Sequence, residues 1–138
     1  MRASSDVLRL DAAEELRLLE YGQRLRGETR NVAAAEEGCS TGAALWRQAA
    51  EHGARAMGQA AGVLAPGQAA DIAVLDTDHP ALVGRAGDAL LDSLVFGPSD
   101  GAIRDVIVAG QWVVRDRRHR DEEPIGGRFA ATMRDLVG

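Results

Sequence analysis

Gly62-Val63-Leu64-Ala65-Pro66-Gly67-Gln68-Ala69-Ala70-Asp71-Ile72-Ala73-Val74-Leu75-Asp76 is the stretch on which the reading of this sequence turns. Proline fixes φ near −65° and glycine accepts positive φ, so Pro66-Gly67 prescribes a tight turn. Ile72 to Leu75 then reads as a short buried strand that Asp76 ends. The chain before this stretch carries helical spacing, and the chain after it is mixed.

Working backwards, Ser40 or Thr41 can cap a helix running through Ala43, Leu45, Trp46, Ala49 and Ala54 to a C-terminal Gly58. Alanine on more than one side of that helix predicts close packing against a neighbouring layer. Further upstream, Asp11 is a plausible N-cap for a helix from Ala12 to about Arg30, with Leu16, Leu19 and Leu25 on the apolar face. Glu14, Glu15, Arg17, Glu20, Arg24 and Arg26 read as the opposite, solvated face, with acids first and arginines last as the helix dipole favours. Residues 1–11 read as an extended lead-in.

Working forwards, Thr77-Asp78-His79-Pro80 is a turn, and Gly87 to Phe96 is a compact helix stopped by Gly97-Pro98. Ile103 to Val108 and Gln111 to Arg115 flank Ala109-Gly110 as the two arms of a hairpin. Arg117 to Arg120 read as charged and solvated. Ile125, Phe129, Met133 and Leu136 space out a last helix beginning at Asp121 or Pro124. Trp112 and Phe96 are expected in the core. Three strands at most would leave two sheet edges open, which predicts that further strands come from another chain or from sequence upstream of Met1.

Composition narrows the function classes. The chain has 138 residues, with 16 Lys+Arg against 21 Asp+Glu and a formal charge of −5, a field that repels nucleic acid and anionic lipid. No apolar run approaches the roughly 20 residues that span a bilayer, so no membrane partner is expected. Cys39 is the one cysteine and cannot form an internal disulfide, and no apolar signal core follows Met1, so a cytoplasmic location is expected. The fold class is α/β.

The full spelling Gly62-x-Leu64-x-x-Gly67-x-x-Ala70-Asp71-x-x-Val74-Leu75-Asp76, followed by Val106-Ile107-Val108-Ala109-Gly110-x-Trp112-Val113-Val114, resembles the C-terminal signature of the amidohydrolase superfamily. Within it, the runs Glu14 to Leu25 and Asp88 to Phe96 are similar to the formimidoylglutamate deiminases of histidine breakdown. The resemblance runs from about residue 4 to the end. It implies the C-terminal part of a (β/α)₈-barrel hydrolase plus part of a small composite β-sandwich built from both ends of the enzyme. It divides the chain into terminal barrel loop and helices over 1–61, partial β-sandwich with an inserted short helix over 62–120, and a C-terminal helix over 121–138.

That resemblance also implies a zinc-dependent hydrolase that deiminates N-formimino-L-glutamate to N-formyl-L-glutamate and ammonia. The family's His-x-His pair has no counterpart among His52, His79 and His119, so most of the active site is absent and no zinc is expected to be held by this chain alone. The resemblance offers Asp6, in Ser5-Asp6, as the catalytic, metal-ligating aspartate; it lies one residue closer to Glu14 than the family pattern, and Asp11 is its rival. His52 reads as a helix-surface or packed residue, His79 as a turn residue, His119 as surface, Cys39 as a bystander thiol and Asp71 as a turn residue holding backbone amides. Association with the missing barrel portion or with itself is expected. The rival reading is a non-catalytic interaction or oligomerisation module that uses exposed strand edges.

Overall fold

The computed structural model describes residues 11–34 and 39–138, so the Asp6 expectation lies outside the described residues. Helix α1 spans Ala12–Gly27, and Asp11 caps it by accepting from the backbone N–H groups of Ala13 at 2.9 Å and Glu14 at 3.4 Å. Two donors that the first turn leaves unpaired are thereby satisfied. The helix stops short of the expected Arg30, with Glu28 in the left-handed region at φ 51°. The cause is a tertiary bond set: the Glu20 carboxylate accepts from the amides of Val32 at 2.9 Å and Ala33 at 3.0 Å, turning the chain back along the helix.

Helix α2 spans Thr41–Ala56 with Ser40 as its cap, Oγ accepting from Ala43 N at 3.0 Å. Gly58 follows at φ 66°, the left-handed residue expected past the helix end. The small-residue face of α2 lies on α3, Asp88–Phe96, closely enough that a Cβ on Gly42 would stand 2.6 Å from Asp92 Cα. Asp92 closes the joint by accepting from Gly42 N at 2.7 Å and Ser40 Oγ at 2.9 Å.

Two small dry clusters hold this part together. Leu16, Leu45 and Val95 join α1, α2 and α3, while Leu82, Leu94 and Ala102 join α3 to the segments on either side of it, and Trp46 packs against both. Full burial of a Leu or Val side chain contributes roughly 1.5–3 kcal/mol. Phe96 packs against the first cluster, as expected.

The opening stretch folds as its spelling directs. Gln68 N–H bonds Ala65 O at 3.1 Å around Pro66-Gly67, with Gly67 at φ 84°, the geometry of a type II turn. Gly62, at φ 90°, lies where a Cβ would stand 2.5 Å from Ala50 O, so α2 and the loop touch backbone to backbone.

The sheet is an antiparallel meander in the order β1-β2-β3-β4: β1 Ile72–Leu75, β2 Ile103–Val108, β3 Gln111–Arg115 and β4 Arg118–His119. Register pairs Ile72 with Ile107, and Val114 with both Val106 and His119. The expectation of at most three strands is corrected by β4, whose two residues carry no apolar alternation and form a strand only because the turn at Asp116-Arg117, both at positive φ, folds them back on β3. Trp112 is also corrected: it is 46% exposed, with the Arg115 guanidinium over its ring instead of a core around it. Within the strands Asp105 alone is buried.

Helix α4, Glu122–Val137, has no buried residue, and its Phe129 and Leu136 are 66% and 74% exposed. Among the described residues no helix is long and apolar enough to cross a membrane.

Candidate functional site

The N-terminus of α1 is where the lead-in carrying Asp6 joins the described structure. A cleft of about 380 Å³ lies there, floored by Trp46 and Leu94, with Asp11 and Ala12 on one rim and Ser99 and Asp100 on the other. Asp11 faces this cleft with one carboxylate oxygen already bonded to two helix amides, so it serves as a cap. A larger apolar cleft of about 680 Å³ separates α2, at Ala50 and Met57, from Leu64, Ile72 and Leu75.

The three histidines are far from equivalent. Nδ1 of His79 accepts from Ala81 N at 3.2 Å, which places the ring proton on Nε2, 3.0 Å from Asp100 O, so Nε2 donates there. Nδ1 of His119 accepts from Asp121 N at 3.0 Å. Nδ1 of His52 is buried without a hydrogen-bond partner among the described residues, as is Oε1 of Glu15. No group of three or more His, Cys, Asp or Glu side chains that could hold a metal ion occurs among the described residues. Cys39 is exposed.

Asp71 does hold a backbone amide, though not in its own turn: Oδ1 accepts from Ala109 N at 2.8 Å, pinning the β2–β3 hairpin to the start of β1. The arginines at 115–120 are likewise absorbed by structure. Arg117 donates to Gly101 O at 2.9 Å and pairs with Asp76, and Arg118 pairs with Glu122 and Glu123. The amide of Asp78, then Arg117, holds the Asp76 carboxyl below the usual aspartate range. Asp105 is lowered in the same way by the amide of Asp116 and then by Arg104, whose guanidinium it raises in turn. These bonds favour the charged carboxylate and fix corners of the sheet.

Sequence reasoning missed the acids that matter most to the frame. Glu20 was expected on the solvated face but is 1% exposed, and it accepts from Arg24 Nε at 2.7 Å besides the two amides beyond the helix. Arg17, placed on the same face, donates instead to Val95 O at 2.7 Å and Gly97 O at 3.0 Å at the end of α3. The signal was the helical period: Leu16, Glu20 and Arg24 stack at four-residue spacing on the inner face. Asp105 offered no comparable signal.

The model of the amidohydrolase family matches residues 6–113. Formimidoylglutamate deiminase of Pseudomonas aeruginosa is 44% identical over 134 residues, 97% of this chain and 30% of that protein. The 5-methylthioadenosine/S-adenosylhomocysteine deaminase of Pyrococcus abyssi is 31% identical over 122 residues, 87% of this chain and 27% of that one. A crystal structure of an amidohydrolase from Brucella melitensis superposes with a TM-score of 0.76 at 37% identity, covering 91% of this chain and 27% of its own. The chain thus spans about a third or less of the length of these relatives.

Proposed function

The chain belongs to the amidohydrolase family, and from that premise we propose that it is the C-terminal segment of a hydrolase acting on a C–N bond, with N-formimino-L-glutamate as substrate. The single observation that carries this reading is 44% identity to a formimidoylglutamate deiminase along 97% of the chain. In this reading α1 and α2 are the closing helices of a (β/α)₈ barrel, and β1 to β4 are part of a composite β-sandwich. Water adds across the formimino C=N bond and ammonia leaves, giving N-formyl-L-glutamate; the reaction belongs to histidine degradation in the cytoplasm.

Zinc is the metal the family resemblance implies, and the described residues do not fit it. His79 and His119 spend Nδ1 on backbone amides, His52 has no second ligand beside it, and three or four convergent ligands are needed. Asp6 is proposed to contribute one carboxylate to a site whose other ligands lie on the barrel portion, and the isolated chain is inactive. The alternative, a non-catalytic interaction module, draws on the uncovered strands and on α4.

The test is fragment complementation. The purified chain, with zinc, is assayed for ammonia release from N-formimino-L-glutamate, alone and mixed with the N-terminal two thirds of the Pseudomonas relative. Activity only in the mixture, and its loss with Asp6→Asn, is expected. Turnover by the chain alone, or a mixture that stays inactive although the two pieces associate, overturns the reading.

A further inference from the structure

We propose that Asp11 is a positioning residue for the reaction: by capping α1 it sets where the lead-in carrying Asp6 joins the helix. The inference rests on the reading just given, in which Asp6 contributes a carboxylate to the site.

Both walls of the cleft at the start of α1 are fixed to the frame. On one side Arg17 donates to Val95 O at 2.7 Å and Gly97 O at 3.0 Å, so the second turn of α1 is tied to the end of α3. On the other, the carbonyls of Ser99, Asp100 and Gly101 accept from Ala102 N at 2.9 Å, His79 Nε2 at 3.0 Å and Arg117 Nε at 2.9 Å. Between these walls Asp11 sets the direction in which the chain enters the helix. Its backbone is extended, at φ −129° and ψ 106°, its carbonyl accepts from Glu15 N at 3.1 Å, and Oδ1 holds the amides of Ala13 and Glu14.

The lever from the cap to Asp6 is short. Asp6 precedes Asp11 by five positions, a reach of at most about 18 Å. Unwinding one turn at the helix start shifts the origin of that segment by about 5.4 Å, whereas displacing a reacting group by about 1 Å can cost roughly a hundredfold in rate. Capping needs only an oxygen that accepts from amides, which serine supplies as well as aspartate. The part proposed for Asp6 needs a carboxylate.

Glycine separates positioning from stabilisation, because at a cap it costs the helix little yet offers no side-chain oxygen. The complementation mixture is assayed for ammonia release, with kcat and KM determined separately. Asp11→Gly is expected to lower kcat about 10–100-fold with KM within about twofold, and Asp11→Ser to hold kcat within about threefold of the parent. In the 138-residue chain alone, amide exchange at Ala13 and Glu14 should quicken in Asp11→Gly and stay protected in Asp11→Ser, with the circular dichroism of both unchanged. Asp11→Gly at the parental kcat, or a loss carried by KM, overturns the inference and leaves the proposed function standing. Altered circular dichroism in Asp11→Gly, or equal exchange in the two variants, reduces the cap to a matter of stability and overturns it likewise. Asp11→Ser as inactive as Asp6→Asn would make Asp11 the reacting carboxylate, which also overturns it. A parent mixture that stays inactive although its pieces associate overturns the proposed function, and the inference with it.

Discussion

The three helices α1 to α3 and the sheet with α4 are built to different standards of completeness. In the helical region two dry clusters are closed by polar groups, one buried and two half-buried, whose partners are present: buried Glu20 on Arg24 and two amides, Asp92 on Ser40 and Gly42, Arg17 on two carbonyls. In the sheet the hydrogen-bond ladder is made, yet Asp105 is its one buried residue, and α4 buries nothing. Backbone pairing is a local matter that a meander settles by itself. Burial of a sheet face or a helix stripe needs a second layer, and in this chain that layer covers only the helices.

The largest expected effect tests that contrast directly. Leu94→Ala, in the dry cluster under α3, should cost about 2–5 kcal/mol in urea unfolding, the usual toll for emptying a leucine site. Val108→Ala, on the exposed end of β2, should stay within about 0.5 kcal/mol. Equal losses at the two sites would erase the distinction between the regions.

Next in size is Gly42→Ala. The added methyl meets the α3 backbone at Asp92, which cannot step aside as a flexible side chain would, and a loss of about 1–3 kcal/mol is expected from overpacking. Gly126→Ala, placed in open space on α4, should instead stabilise slightly, by about 0.5–1 kcal/mol, because alanine is the better helix former. Thermal melts of both variants compare a tight joint with an open one.

Glu20→Gln keeps the shape but removes the charge that holds Arg24 and leaves an amide NH₂ facing backbone N–H donors. A loss of about 1–3 kcal/mol is expected, with the 31–34 segment exchanging its amide protons faster than in the parent. Unchanged exchange at Val32 and Ala33 would show that the carboxylate does not tie the segment down.

The smallest effect is the acid limb of the stability curve. Asp76 and Asp105 have carboxyls lowered in the folded state, so the folded chain binds fewer protons than the unfolded one. Their contribution is complete above the ordinary aspartate pKa of about 3.9 and is lost as pH falls through their lower folded values. Stability measured from pH 5 downward should fall less steeply in Asp105→Asn than in the parent; parallel curves would remove Asp105 from the account.

Much of this was legible in advance. The Pro66-Gly67 turn, the strand at Ile72–Leu75, the hairpin around Ala109-Gly110 and the Asp11 and Ser40 caps follow from φ preferences and short-range donors, which act within a few residues. The spelling of 62–76 and 106–114 likewise carried the family. What the sequence did not disclose were bonds between residues far apart in the chain: Glu20 drawing 32–33 back, Arg17 reaching the end of α3, Asp71 pinning the hairpin, and Asp105 paired beside Asp116. Asp6, the one candidate for the chemistry, lies outside the described residues.

By itself, then, the sequence determined the elements other than β4, their order, the turn that opens the β region and the family, because each is written in local spacing and backbone preference. Only the tertiary structure decided which charges are interior, that Arg117 to Arg120 are spent on pairing, that Trp112 stays near solvent and that α4 offers its apolar face outward. Those outcomes depend on which distant surfaces meet, and a hydrophobic period fixes that a face must be covered without saying by what.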